Sequence, residues 1–397
     1  MTIPFVPPTR GDGPLRFAPD IPNTPGKSET VPSSWYTDPE RFELERKYVL
    51  NPSWQIMCRS EELTQTGDHV VWEGHGETIV ITRQRDGSLA GFHNVCLHRG
   101  ARIVRDSGQC ARRFKCPWHD WVYDYAGNVI GVPDRDDFDQ DILANLKAPQ
   151  VELAEWGGWV WGVLAGPGVA PSLEEWLGED IMVDLGAYRM EDMYLREKLT
   201  WYVDVNWKVV VDAFNEFYHA PALHHIPPQD VKDGREMRIF EFDRHSMMVV
   251  PLKGALPKLQ ENPDHQSVAI CHYTIFPTSV FNNNPEHLQL FRSVPVAHNK
   301  TRFETWELWY KSDDQDYLER TQRHWDHLKI VVGEDVWTWE DVAATSRSSF
   351  YTQNFFNDRE CKIPFFHQQV NRIIEEGVAR DAAARRSGTG GSRLHLL

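Results

Sequence analysis

The chain has 397 residues, of which 41% are hydrophobic and 25% charged, and its formal net charge is -16 at pH 7. This length and composition predict a globular protein with two domains, each large enough for its own core. The acidic balance argues against nucleic acid or an anionic membrane as a partner, because Lys and Arg supply most of the affinity for phosphate.

The first 49 residues are predicted to form an arm followed by a helix that packs on the second domain. Residues 1–34 are rich in Pro and Gly, and Thr37-Asp38-Pro39-Glu40 is typical of a capped helix start. This Pro-rich start lacks the apolar core of a secretion signal, and no apolar run in the chain approaches the ~20 residues of a membrane span. We therefore expect a cytoplasmic protein.

Short alternating runs fill residues 50–166 and predict a small all-β domain. Examples are DHVVWEG, ETIVITR, LAGFHNV and GWVWGVLAG, separated by Gly, Asp and Asn turns. The chain holds only six cysteines, which are too scattered for a disulfide framework. Reduced thiols or metal ligands are therefore expected.

Residues 167–383 are predicted to form a second domain of the α+β class. Helical spacing occurs at 172–178 and 206–224, and strand-like stretches follow at 245–252, 268–276, 287–295 and 301–311. A later helical region contains Gly333, where we predict a break between two helices. The Gly/Ser-rich segment 384–397 is predicted to be a mobile tail.

Two segments of the β domain each offer one Cys and one His. Cys96 and His98 are followed, after seventeen residues, by Cys116 and His119. Such a set could hold zinc, but a zinc finger groups its cysteines together and its histidines together, whereas here they alternate. Alternation fits a Rieske [2Fe-2S] cluster, in which thiolates bind one iron and imidazoles the other. We favour the cluster over structural zinc.

Six basic residues lie between these two pairs and are opposed only by Asp106. They are Arg99, Arg102, Arg105, Arg112, Arg113 and Lys115. Solvated loop charge is the common explanation of such a patch. The sharper hypothesis is that the patch steers an acidic electron donor towards the cluster.

A second group of metal-binding residue types surrounds Pro221. The segment from Asn206 to His219 is predicted to be helical, and in a regular helix His219 and His224 would lie about 140° out of phase. Pro221 disrupts the helix, so the two imidazoles could turn towards one metal ion. Two polar histidines at a helix end would be the simpler explanation of this segment alone.

Two imidazoles and one carboxylate form the facial triad that suits Fe(II) and the activation of O2, so a third ligand is required. The candidates are Asp212, Glu216, Glu334, Asp335, Glu340 and Asp341. Glu216, one turn before His219, is better placed to hydrogen-bond an imidazole than to share its metal. Asp335 would project from the helix that starts after Gly333. Acidic residues there also match the helix dipole, and local evidence leaves both explanations open.

These segments resemble the large subunits of the Rieske oxygenases, the aromatic-ring-hydroxylating dioxygenase family with its demethylating and quaternary-amine-oxidising relatives. The resemblance covers nearly the whole chain and rests on CLHRG and CPWHDW, on NWK followed by ExYHxxxxH, and on EDVWTWED. It implies a Rieske domain beside a helix-grip, START-like catalytic domain with a curved antiparallel sheet. The implied ligands are Cys96, His98, Cys116 and His119 for a [2Fe-2S] cluster and His219, His224 and Asp335 for a mononuclear non-haem Fe(II).

The resemblance also implies a route for electrons. Subunits of the family form a ring of three, in which His119 of one subunit meets the bridging acid, Glu216, of its neighbour. The chain contains neither a G-x-G-x-x-G fingerprint nor a four-cysteine ferredoxin pattern, so NAD(P)H would act only through a separate reductase or ferredoxin. We expect a homotrimer, with or without a small beta subunit.

The expected function is that of a terminal oxygenase component that uses O2 to hydroxylate an aromatic or bulky hydrophobic compound. Phe214, Phe217, Ile275, Phe281 and Phe291 could line its cavity, although aromatic residues at such spacing are more often plain core. The main alternative is a monooxygenase that demethylates or cleaves a quaternary amine or methoxy substrate, using cation-π contacts. A Rieske electron carrier and a carrier of hydrophobic ligands are the non-enzyme alternatives.

Overall fold

The structure is a computed structural model that describes residues 30–109, 112–224, 236–252, 254 and 269–387. The chain divides into two compact units, Met1–Glu45 with Leu177–Arg372 and Arg46–Trp176 with Ile373–Leu397. The predicted arm before residue 30 and the predicted tail beyond residue 387 lie outside the described residues. Within the described ranges, none of the helices combines the length and the apolar character that a membrane span requires.

The described chain begins with strand β1 (Thr30–Pro32), helix α1 (Ser34–Thr37) and helix α2 (Pro39–Glu45). Helix α2 starts at Pro39, as the sequence predicts, because the fixed φ of proline suits the first helical position. A π-helical turn, Arg46–Leu50, follows it directly.

In the unit formed by Arg46–Trp176 with Ile373–Leu397, the first segment includes residues 50–166, which were expected to form a β domain, and it consists mainly of strands. Its elements are β2 (Gln55–Arg59), β3 (Asp68–Gly74), β4 (Glu77–Arg83), β5 (Leu89–His93), β6 (Gly108–Gln109), β7 (Phe114–Lys115), β8 (Val122–Tyr123), β9 (Val129–Gly131), α3 (Gln140–Leu143), β10 (Gln150–Trp156) and β11 (Trp159–Val163). One antiparallel sheet has the order β2-β11-β10-β5-β4-β3-β6, and a smaller one has the order β7-β8-β9.

Strand β4 shows why this domain needs apolar residues on both faces of its sheet. Successive side chains of a strand point to opposite faces. Val80 packs in a core with Cys96 and Cys116, the two cysteines predicted to be cluster ligands, whereas Ile79 and Ile81 pack in a second core on the other face. Full burial of each such side chain contributes about 1.5–3 kcal/mol, so the two cores fix the strand from both sides.

The other unit is built on another seven-stranded antiparallel sheet, with the order β12-β18-β17-β16-β15-β14-β13. The elements that follow β11 are α4 (Leu173–Gly186), β12 (Met193–Val203), α5 (Trp207–Ala213), α6 (Ala220–Leu223), β13 (Arg238–Phe242), β14 (His245–Pro251), β15 (Ala269–Ile275), β16 (Ser279–Asn283), β17 (His287–Ala297), β18 (Lys300–Tyr310), α7 (Gln315–Thr345), β19 (Gln353–Phe355) and α8 (Lys362–Arg386). This curled sheet with its long helix confirms the predicted α+β fold. The four predicted strands correspond to β14, β15, β17 and β18, while β12, β13 and β16 were missed.

Helix α7 is continuous through Gly333, so the predicted break there was wrong. A single glycine weakens a helix by only about 1 kcal/mol, and tertiary packing overrides such a preference. Val332 and Trp339 of the same helix are buried in a core with Phe214, Phe291 and Phe303. The packing of this face against the sheet keeps the helix whole.

Helix α8 was not predicted, and it changes the expected carboxyl-terminal tail. Residues 384–386, which the sequence assigned to that tail, form the last turn of α8. The helix buries Ile363, Phe366, Val370 and Ile374 along one side. This 3-4-4 spacing of apolar residues is the signal that identifies a helix with one buried face.

Candidate metal centres

His219 and His224 flank a helix of only four residues. Helix α5 ends at Ala213, and α6 then runs from Ala220 to Leu223, with one histidine immediately before it and the other immediately after it. The predicted helix through His219, broken by Pro221, was therefore wrong. Pro221 lies in the first turn of α6, where a proline has no helical hydrogen bond to lose. The expected approach nevertheless occurs, since the Nε2 atoms of the two histidines are 3.2 Å apart.

Asp335 meets these imidazoles from helix α7. Its Oδ1 lies 3.5 Å from Nε2 of His219 and 3.8 Å from Nε2 of His224. One ligand atom from each of the three residues lies within 4.8 Å of the other two. Burial raises the pKa of Asp335 to about 7, and a bound cation would favour its ionised form. Two imidazole nitrogens and a carboxylate oxygen that converge in this way fit a mononuclear iron.

The far nitrogen of each imidazole contacts a different carboxylate. Glu216 accepts a hydrogen bond from Nδ1 of His219, and Oε2 of Glu334 lies 2.9 Å from Nδ1 of His224. Such contacts fix the tautomer and leave each Nε2 lone pair for a metal. Burial acts to lower the pKa of both imidazoles. At His219 the contact with Glu216 outweighs burial, so its pKa lies above the ordinary value, whereas the pKa of His224 lies below it.

The other candidate acids point elsewhere. Glu334 lies on the far side of His224, and Glu340 and Asp341 are exposed on the same helix. Asp212 is buried, where it accepts a 2.7 Å hydrogen bond from the hydroxyl of Tyr36 and lies 3.0 Å from Nε2 of His367. Among the six acids considered, the structure brings Asp335 to the Nε2 side of both histidines.

The four predicted cluster ligands lie on two loops with the same hydrogen-bond pattern. In each loop the cysteine N–H donates to the carbonyl five residues later, Ala101 or Trp121, at 2.7 and 2.8 Å. The residue four positions after the cysteine has a positive φ, 75° at Gly100 and 60° at Asp120. Glycine adopts this conformation without strain, and aspartate tolerates it better than most residues. The sequence spacing showed the alternating ligands but not this common loop shape.

The side chains between these loops fit a [2Fe-2S] cluster. Cys96 and Cys116 are buried, and the ring centroids of His98 and His119 are 4.5 Å apart. Within the described residues, the buried Nδ1 of His98 has no hydrogen-bond partner. A buried nitrogen without a partner needs an explanation, and a metal ligand supplies one. The hydroxyl of Tyr123 donates to Sγ of Cys96 at 3.3 Å, and burial raises the pKa of that thiol.

Trp118 forms an exposed aromatic surface beside His119. Its side chain is 53% exposed, its ring centroid is 4.6 Å from that of His119, and the guanidinium of Arg99 lies 4.4 Å from its ring centroid.

Part of the predicted basic patch is paired, because Arg102 contacts Glu73 and Lys115 contacts Asp120. Arg105, Arg112 and Arg113 are exposed.

A cavity of about 540 Å³ reaches the cluster formed by His219, His224 and Asp335. Its apolar wall includes Phe214, Phe217, Leu252, Ile270, Phe291, Leu328, Val331 and Val332. Three of the five aromatic and aliphatic residues considered from sequence thus line it, whereas Ile275 and Phe281 are buried in the core. Sequence reasoning missed the polar lining residues Asn282, His287 and Gln289. For His287 and Gln289 the signal is the alternation of polar and apolar residues in HLQLF, which places both on one face of β17.

Two family models match the chain in separate segments. Residues 53–148 match the Rieske [2Fe-2S] domain, and residues 187–376 match the catalytic domain of the ring hydroxylating alpha subunit. The carnitine monooxygenase oxygenase subunit of Escherichia coli K12 is 26% identical over 338 residues, which cover 82% of this chain and 87% of that protein. The biphenyl dioxygenase subunit alpha of Paraburkholderia xenovorans LB400 is 30% identical over 210 residues, 48% of this chain and 44% of that one.

Solved structures show the same fold. A quaternary ammonium Rieske monooxygenase in complex with L-carnitine has a TM-score of 0.72 and 21% identity, and the match covers 90% of this chain and 99% of that one. A Rhodococcus naphthalene 1,2-dioxygenase bound to indole has a TM-score of 0.70 and 19% identity, with 87% and 94% covered. The chain therefore belongs to the Rieske non-haem iron oxygenases, as an alpha subunit that joins a Rieske [2Fe-2S] domain to a catalytic domain of the kind that binds mononuclear iron.

Proposed function

We propose that this protein is a terminal oxygenase component that hydroxylates an aromatic or bulky hydrophobic compound with O2. The observation that carries the proposal is the convergence of His219, His224 and Asp335 at a cavity with an apolar wall. An apolar cavity with a few convergent polar groups is the usual form of a small-molecule site.

His219, His224 and Asp335 would hold the iron, with Glu216 and Glu334 orienting the two imidazoles. When bound, a non-haem iron with two histidine ligands and one carboxylate supplies the activation of O2. Phe214 stacks on Phe291 with ring centroids 4.3 Å apart, and both rings line the cavity. These rings would hold an apolar substrate and exclude water from the reacting atoms.

Cys96, His98, Cys116 and His119 would hold the cluster that receives electrons. The family takes electrons from reductase or ferredoxin partners and forms oligomers with electron transfer between subunits. We infer a homotrimer in which His119 of one subunit approaches Glu216 of the next. One feature supports this route: His119 is only half-buried, so part of its ring is accessible to another subunit. Glu216, through its contact with Nδ1 of His219, would connect that ring to the proposed iron ligands.

A monooxygenase acting on a quaternary amine is the second candidate. The similarity over 82% of the chain to a carnitine monooxygenase oxygenase subunit favours it. The faces of Phe214, Phe217 and Phe291 would contact such a cation through their π systems.

Iron analysis with electron paramagnetic resonance on anaerobically purified protein tests the proposed ligands. We expect about three irons per chain with a Rieske signal, and about two in His219→Ala with that signal unchanged. His298→Ala, at a described histidine outside the metal cluster, is the control and should keep all three. If His219→Ala and the wild type contained equal amounts of iron, these residues would not be the ligands of a mononuclear iron. A screen for substrate-dependent O2 uptake with a surrogate reductase then separates aromatic compounds from quaternary amines.

A further inference from the structure

A row of four polar side chains crosses the curled sheet of the catalytic domain. The strand register places His272 opposite Asn282, Asn282 opposite Gln289, and Gln289 opposite Glu307. All four residues are buried, and the first three line the cavity. Burying polar groups costs free energy unless they are hydrogen-bonded, so a polar row in an apolar wall requires a reason.

The hydrogen bonds in this row have a defined direction. The side-chain amides of Asn282 and Asn284 both donate to Oε1 of Gln289, at 2.9 and 3.2 Å. Nε2 of Gln289 therefore supplies the donors on its other side, to Oε2 of Glu307 at 2.7 Å and to Nδ1 of His287 at 3.2 Å. The side chain of Gln289 is thus held between partners on three strands.

This direction assigns the tautomer of His287. Burial lowers the pKa of His287 to about 3, so the ring is neutral and carries a single hydrogen. Nδ1 accepts from Gln289 and also lies 3.4 Å from Oε1 of Glu307. Burial raises the pKa of Glu307 to about 8, so near neutral pH this carboxyl is protonated and does not require a hydrogen on Nδ1. The ring hydrogen therefore lies on Nε2, which becomes a donor. Asn282 uses its amide nitrogen on Gln289, and its Oδ1 is left as an acceptor.

Both of these atoms lack a partner within the part of the chain that the structure describes. Nε2 of His287 and Oδ1 of Asn282 are buried and make no hydrogen bond. The two residues line the same cavity, and their side chains are 2% and 7% exposed. A buried donor and a buried acceptor are thus held ready by a network that a bound molecule would complete.

The chemistry of this pair selects against charged groups. A carboxylate would accept from His287 but would be repelled by Oδ1 of Asn282. A quaternary ammonium group would meet the N–H of His287, and the carboxylates among the described lining residues are those of Glu216 and Asp335, beside His219. The lining also holds Arg320 and Arg323, but their guanidinium groups pair with Glu286 and Glu319. A hydroxyl group both donates and accepts, so its chemistry matches this donor and this acceptor.

We propose that the substrate is an uncharged apolar compound that carries a hydroxyl group, held by His287 and Asn282 while its apolar body lies along the Phe214 and Phe291 rings. The inference rests on the oxygenase function proposed above and narrows its substrate to phenol-like or alcohol-bearing compounds.

Equilibrium binding to the iron-loaded full-length protein, without O2 or reductant, tests this inference. The ligands are 2-naphthol, 2-methylnaphthalene, 2-naphthoate and the N,N,N-trimethyl-2-naphthylammonium ion, measured by calorimetry. We expect 2-naphthol to bind roughly tenfold more tightly than the methyl compound, since two hydrogen bonds are gained, and the two ions to bind more weakly than 2-naphthol. Equal affinity of 2-naphthol and 2-methylnaphthalene, or a preference for either ion, would overturn the proposal.

Substitutions in the cavity test whether His287 and Asn282 cause the preference for 2-naphthol. His287→Leu and Asn282→Leu should each reduce the ratio of the two affinities to about threefold or less. Asn283→Leu is the matched control, because Asn283 is buried on β16 but its side chain alternates with that of Asn282 to the opposite face. An unchanged ratio in both cavity variants would overturn the assignment, and if they fail to fold the wild-type series decides.

Oxygen uptake by the reduced protein separates this inference from the function on which it rests. If none of the ligands that bind leads to O2 consumption, the result would count against the oxygenase function. The preference for 2-naphthol is measured without turnover, so it stands or falls separately.

Discussion

Glu334 and Asp335 are neighbours on helix α7, and Oε2 of Glu334 lies 2.9 Å from Nδ1 of His224 while Oδ1 of Asp335 lies 3.8 Å from Nε2 of the same ring. Successive residues of an α-helix differ by about 100° in direction, so the two carboxylates reach opposite sides of one imidazole. One acid can therefore orient the histidine while the other shares its metal. This division of roles gives the first two predictions.

Replacing Glu334 with Gln should weaken iron binding without abolishing it. The amide cannot hold the Nδ1 hydrogen as strongly as a carboxylate, and loss of such an outer partner typically costs about 10–100-fold in metal affinity. Competition with a chelator measures the change. Glu340→Gln, an exposed position on the same helix, is the control and should behave as the wild type. Wild-type affinity in Glu334→Gln would show that this contact does not support the metal site.

Iron uptake by the apoprotein should weaken in acid. Burial raises the pKa of Asp335 to about 7, so the carboxyl is protonated below that pH, and a metal must displace the proton. We expect the affinity to fall by roughly tenfold for each pH unit below 7, or more where the histidines must also lose protons. Titration of the apoprotein with Fe(II) under anaerobic conditions at several pH values measures this. A pH-independent affinity would contradict it.

The same carboxyl affects the stability of the apoprotein. Between the ordinary pKa of about 3.9 and the folded value of about 7, the folded state binds more protons than the unfolded state, so stability falls as the pH rises through this window. Asp335→Asn removes this loss. The apo variant should therefore have a higher melting temperature than the apo wild type at pH 8 and nearly the same one at pH 4. If the variant melted at a lower temperature than the wild type at pH 8, the predicted destabilisation by the ionised Asp335 carboxylate would be wrong.

Tyr123→Phe should lower the reduction potential of the cluster. The hydroxyl donates to Sγ of Cys96, and a hydrogen bond to a cluster sulfur favours the more negatively charged, reduced state. One lost hydrogen bond corresponds to roughly 20–60 mV for a one-electron couple. A redox titration followed by electron paramagnetic resonance measures the potential. Tyr48→Phe, whose hydroxyl donates to Asp381, is the control and should leave the potential unchanged.

Charge reversal at Arg112 and Arg113 should slow reduction by the natural donor if the basic patch steers it. The loss should be largest at low ionic strength and should shrink as salt screens the patch. Stopped-flow reduction of the double Glu variant measures the rate. The same reversal at Arg385 and Arg386, exposed at the end of α8, is the control. An equal loss at all salt concentrations would assign the effect to structure rather than to steering.

The sequence predicted the chemistry of the site better than the local structure around it. The ligand types and their alternation predicted the two centres because metal chemistry restricts them to few residues. The helix bounds near Pro221 and Gly333 were wrong for a common reason. Proline is compatible with a helix start, and glycine with a helix that packs along a sheet, so neither residue decides its own context.

The polar row could not be predicted because it depends on the register of strands that are distant in sequence. His272 and Glu307 are 35 positions apart, and their relation through Asn282 and Gln289 exists only after β15 to β18 have paired. A single sequence shows alternation within one strand but not which residue of the next strand lies opposite.

Within two turns, helix α7 contributes Leu328, Val331 and Val332 to the cavity wall and Asp335 to the group that it forms with His219 and His224. A change of side-chain volume on this helix would shift the backbone that carries the proposed ligand Asp335, so engineering new specificity from this side would put iron binding at risk. Strands β16 and β17, which also line the cavity, contribute none of the three proposed iron ligands. The enzyme can thus be remodelled from its sheet while its helix is left untouched.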